Sequence, residues 1–104
     1  MEYQLVLQFP EEAIELEGLV ELEERIRSRL GPGGRVDGHD IGSGEANIFI
    51  YTTIPLEAFQ TIKGIMSGDH LTALKAAYRN RPRPTERSQF TVLWPAGESE
   101  FKVT

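Results

Sequence analysis

The sequence predicts an α+β fold: a two-layer sandwich with a four-stranded antiparallel sheet and helices on one face. Three observations lead there. Apolar and polar residues alternate in Tyr3–Phe9, the period of a half-buried strand, and Ala46–Thr52 is rich in β-branched and aromatic residues. Leu16, Leu19, Leu22, Ile26 and Leu30 recur at spacings of three and four, which lines one side of a helix. Segments of the two kinds follow in the order β-α-β-β-α-(α)-β over 104 residues, enough for one core and a single domain over 1–104.

Each element has its own punctuation. Tyr3, Leu5, Leu7 and Phe9 alternate with Gln4, Val6 and Gln8 until Pro10 ends the strand. In the following helix Glu21/Arg25 and Glu23/Arg27 stand four apart in the favourable acid-first order, and Gly31-Pro32-Gly33-Gly34 stops it. Arg35–Ile41 and Glu45–Thr53 read as a hairpin through Gly42-Ser43-Gly44, whose glycines accept the positive φ of a turn. Pro55 suits a first helical turn, and Leu56, Phe59, Ile62 and Met66 continue at helical spacing up to Ser67-Gly68. Asp69 is placed to cap a further short helix carrying Leu71, Leu74, Ala77 and Tyr78. Arg81-Pro82-Arg83-Pro84 reads as a loop, and Gln89–Trp94 as the last strand.

With right-handed crossovers, this order closes most simply as a split β-α-β sandwich. The chain thereby resembles the ferredoxin-like superfold over roughly its full length, a likeness of topology that implies no activity. The stretch from Gly38-His39-Asp40 through Gly42-Ser43-Gly44-Glu45 to Ile48-Phe49-Ile50 also looks like the signature of a small uncharacterised bacterial family, with no activity attached. The expected core is Leu5, Leu7, Leu19, Ile26, Ile48, Ile50, Phe59, Ile62 and Val92. On that parity Val6, Phe49, Tyr51 and Leu93 form an apolar centre on the open sheet face, a surface for a protein partner or a homodimer. Sheet-to-sheet dimers of this kind occur in the dimeric α+β barrels that the arrangement resembles.

Composition narrows the function classes. No cysteine is present, so disulfides, zinc-thiolate sites and thiol nucleophiles are excluded, and the chain reads as cytoplasmic. Neither a leader pattern nor an apolar run of about 20 residues is visible, so no membrane partner is expected. A net charge of −5 disfavours nucleic acid. Phe49 and Tyr51 invite comparison with RNA-stacking sheets, yet no Lys or Arg interleaves with them. The charge is nevertheless divided: every charged residue from Glu2 to Glu24 is acidic, whereas Lys75, Arg79, Arg81, Arg83 and Arg87 face only Glu86.

Two segments carry chemistry-bearing residues. Gly38–Glu45 is flanked by strands and by Asp37, Asp40 and Glu45, which argues against a phosphate cradle. His39, Asp40 and Glu45, with Asp69 and His70 elsewhere, are residue types that hold divalent metals, but no diagnostic spacing joins them, and neither metal nor cofactor is expected. The same three residues would serve a small enzyme or ligand binder by acid–base chemistry. Their plain reading is a polar edge hairpin that resists strand pairing. Arg79, Arg81, Arg83 and Arg87 suit an anionic ligand or acidic partner. Topology is expected to gather this loop at one end of the domain with Pro10–Glu17 and the Gly42–Gly44 turn. A small interaction or regulatory module is thus expected, with the enzyme or ligand binder and an immunity-type acidic antagonist of a basic protein as alternatives. The glutamate-rich helix of that last reading is equally explained as a solvated face.

Overall fold

In the computed structural model, which describes residues 2–80, 89–98, 101 and 103, strand β1 (Tyr3–Pro10) is the centre of the sheet. Its inward residues Leu5, Leu7 and Phe9 are fully buried against the helices. A single turn of 3-10 helix, Glu11–Ala13, leads to helix α1 (Leu16–Leu30). Of the stripe read from the sequence, Leu19, Leu22 and Ile26 go into the core and Leu30 packs against it, whereas Leu16 is exposed. Gly31, at φ 52°, ends α1 in a conformation that side chains resist, with its N–H on the Arg27 carbonyl.

Strands β2 (Arg35–Gly42) and β3 (Glu45–Thr52) form the expected hairpin, one residue tighter than Gly42-Ser43-Gly44 implied. Ser43 (φ 56°) and Gly44 (φ 83°) alone make the turn. Two consecutive positive φ angles are those of the turn that matches the twist of paired strands. Serine is less suited to such a φ than asparagine. Ser43→Asn is therefore expected to raise the unfolding free energy by about 0.5–1 kcal/mol in urea. A loss of stability would show that the serine hydroxyl contributes more than backbone strain costs.

Helix α2 (Pro55–Lys63) buries Ala58, Phe59 and Ile62, and helix α3 (Gly68–Ala73) is capped by the Ser67 hydroxyl, which accepts the His70 N–H at 3.2 Å. Beyond it the structure departs from the sequence expectation. Lys75–Asn80, expected to be the end of a helix, is strand β4, and β5 (Thr91–Trp94) follows. The sheet is antiparallel with five strands, not four, in the order β2-β3-β1-β4-β5. The stretch read as helix because Leu71, Leu74, Ala77 and Tyr78 recur at helical spacing. Here Ala76 and Ala77 have no exposed area, one on each sheet face, and between β1 and β5 the segment completes backbone pairing that a helix would forgo.

The extra strand also reverses one expectation about the ends of the sheet. Glu11 donates its N–H to the Gly44 carbonyl at 2.8 Å, so the acidic turn and the hairpin turn do share one end. Strand β4, however, begins at Lys75 opposite Gln8 and finishes at Asn80 opposite Tyr3. Arg79 therefore lies in a strand at the other end, away from Glu45, and not in a loop beside it.

Candidate functional site

Helix α1 and strand β2 run side by side, and one polar contact sets their level. Glu23 falls inside the buried stripe of α1 and is only 3 % exposed. Its Oε1 lies 2.6 Å from Nδ1 of His39, which projects from β2 toward the helices opposite Ile48. Burying a carboxylate costs several kcal/mol unless its hydrogen-bonding capacity is met. The imidazole meets it, with the Arg27 guanidinium 3.9 Å from the other oxygen. His39 remains one-third exposed at its side chain. The pair fastens α1 to β2.

From this contact toward the hairpin turn, α1 passes Val20 and then Leu16, each on the same flank as Glu23 by helical spacing. Strand β2 passes Ile41, two residues beyond His39 and on the same face. Leu16 is 56 % exposed, Val20 41 % and Ile41 37 %. The other large exposed apolar residues, Ile54 and Leu56, line a cavity of about 350 Å³ with Tyr3 and Tyr78. Leu16, Val20 and Ile41 line no such cavity; they form an open apolar strip on the flank of α1 and β2.

The residues singled out in the sequence are distributed differently from the expectation. Asp40 stands opposite Asn47, and Glu45 opposite Pro10 and Gly42, on the sheet face away from the helices. His39 points to the helix face, so the three do not converge. Its acid is Glu23, which sequence reasoning missed as part of this site, although a glutamate between Leu22 and Ile26 in an apolar stripe was a visible signal. Arg79 donates Nε–H to Gln4 Oε1 at 2.9 Å and lies 4.4 Å from the Phe90 ring. Arg81, Arg83 and Arg87 lie outside the described residues. No three His, Asp or Glu among the described residues are grouped to hold a metal.

The sheet face away from the helices is partly closed by the chain itself. Val6 and Ala77 have no exposed area. Gln8 donates to Asn47 Oδ1 at 3.0 Å, and Phe101 packs on Phe90 at 4.9 Å between ring centres. Phe49 and Tyr51 are half-buried, with Arg35 over the Tyr51 ring at 4.9 Å. In β5 the expected parity is inverted: Val92 stands opposite Ala77, and Leu93 packs against the core. The register of β5 on β4 sets this parity, and the irregular step that follows at Ala76/Ala77 makes Leu93 an extra residue and brings Trp94 to the core side as well.

The sequence matches no family model, no curated protein and no solved structure. No helix among the described residues is long and apolar enough to cross a membrane.

Proposed function

We propose that this chain is a protein-interaction module that docks through the flank formed by α1 and β2. The observation that carries this reading is the strip of Leu16, Val20 and Ile41. Apolar side chains scattered singly on a surface need no explanation, but three gathered from two elements on one flank mark a contact surface. The strip sits on a firm base, because the Glu23–His39 pair ties the two elements together directly beside it. On fold, we read β1–β4 with α1 and α2 as a ferredoxin-like split β-α-β unit, supported by the strand order β2-β3-β1-β4, with β5 added at the edge. A homodimer through the open sheet face has less to rest on. Val6 is already sealed within the chain and Leu93 turns inward, which leaves Phe49 and Tyr51.

The test compares the wild-type chain with Leu16→Ser/Val20→Ser as bait for quantitative capture from cell extract. Both side chains are largely exposed, so unfolding should shift by no more than about 0.5 kcal/mol per site. Loss of about 10-fold or more of a specific captured protein is expected. Capture that is equal for the two baits would remove α1 and β2 as the docking flank.

A further inference from the structure

We infer that the partner of the α1/β2 flank is a cationic amphipathic segment, one that sets apolar side chains into the strip and lysines or arginines around it. The inference rests on the docking flank proposed above and adds the chemistry of its occupant. The strip is apolar, but its surroundings have one sign. Glu11, Glu12, Glu15, Glu17 and Glu24 are all exposed on the turn before α1 and on α1 itself. Cations close to the strip are already engaged: Arg27 pairs with Glu24 and Glu23, and His39 with Glu23. Arg25 donates to the Ile65 carbonyl at 2.7 Å on the far side of α1, where Glu21 lines a groove with it, so neither belongs to the rim of the strip. The carboxylates of Glu11, Glu12, Glu15 and Glu17 have no ion-pair partner among the described residues.

Helix chemistry explains part of this charge and not the rest. Glu15 at the N-cap and Glu17 in the first turn oppose the positive end of the helix dipole, which stabilises α1. Glu11 and Glu12 precede the helix on the turn beside the strip, and Glu24, beyond the first turn, is paired with Arg27. An apolar partner without charge would cover the strip and leave this field uncompensated. An acidic partner would be repelled by it, and a second copy of the chain would bring the same acidic flank against itself. Strand addition along β2 is also disfavoured, because the edge carries Asp37 and Asp40 and has an irregular step at Val36/Gly38. A basic amphipathic segment is the occupant that satisfies both the strip and its rim.

The test uses a synthetic helical peptide of about 18 residues, about five turns, with leucines along one stripe and lysines elsewhere. A second peptide carries glutamate in place of every lysine. Binding is followed by titration calorimetry, and the surface by amide chemical shifts of the full chain. The lysine peptide is expected to bind with shifts centred on Leu16, Val20 and Ile41, and to weaken at least ~10-fold between about 0.05 and about 0.5 M salt. Glu12→Lys/Glu17→Lys should weaken it at least ~10-fold, as should Leu16→Ser/Val20→Ser. Equal binding of both peptides at the strip, or binding insensitive to the charge reversal, would overturn the cationic partner while leaving the docking flank standing. Shifts centred elsewhere, or no binding of the lysine peptide, would also overturn it. Only the first of these would count against the flank itself.

Discussion

Phe9→Ala is expected to lower the unfolding free energy by about 3–5 kcal/mol. Phe9 has no exposed area and heads the fully buried side chains by size. It stands opposite Ala46 on β3, and its ring meets His70 of α3 edge-on at 5.7 Å. Removing it opens a cavity where sheet and helix layer meet, and alanine at 46 offers no bulk to refill it. Phe49→Ala removes the same ring from the opposite face of the sheet. Phe49 is half-buried there, so its loss is expected to be about 1–2 kcal/mol. Urea unfolding of the two variants measures the difference through the midpoints at constant slope. A larger loss from Phe49→Ala than from Phe9→Ala would mean that the two faces of the sheet are exchanged, and with them the assignment of His39 to the helix side.

His39→Ala is expected to cost about 1–3 kcal/mol, more than the loss of a one-third-exposed side chain would suggest. The reason is the group left behind. Glu23 keeps its charge in a 3 % exposed position and loses the nitrogen that met it. Water entering through the vacated space holds the cost below that of a sealed unpaired charge. Glu23→Met/His39→Ala should recover most of the stability, because the apolar side chain suits the stripe of Leu19, Leu22 and Ile26. A double variant as unstable as His39→Ala alone would show that the imidazole packs α1 and β2 by shape and not through the acid. The same double variant tests the base of the docking strip, whose three apolar residues it leaves untouched.

The two variants draw on different kinds of legibility. Phe9 could be placed from the sequence because strand periodicity alone sends Leu5, Leu7 and Phe9 to one face. Glu23 could be placed inside α1 on the same grounds, but not joined to His39. Spacing along a helix says which side a residue is on, and not which residue of another element stands at its level. The hairpin grouping of His39 with Asp40 and Glu45 followed chain proximity. In a strand, neighbouring residues point to opposite faces, so proximity in the chain separated what it was taken to unite.

By itself the sequence determined the class of the fold, an α+β arrangement with an antiparallel sheet and helices. It also determined the buried faces of β1 and β3, the buried Leu19, Leu22 and Ile26 of α1 and Phe59 and Ile62 of α2, though not the exposure of Leu16 and Leu56, and the acidic character of the first helix. These depend on local periodicity and composition, which a chain carries wherever it is placed. Tertiary structure alone decided three things. Lys75–Asn80 became a strand because β1 had an unpaired edge and alanines were small enough to lie buried on both faces beside it. Val92 and Leu93 lie on the faces opposite to those expected because pairing with β4 sets Val92 against Ala77, and a strand's own pattern does not fix its register on a neighbour. Leu16, Val20 and Ile41 became one surface because the Glu23–His39 bond fixes the level at which α1 lies beside β2, a distance of 16 residues along the chain that no local pattern spans.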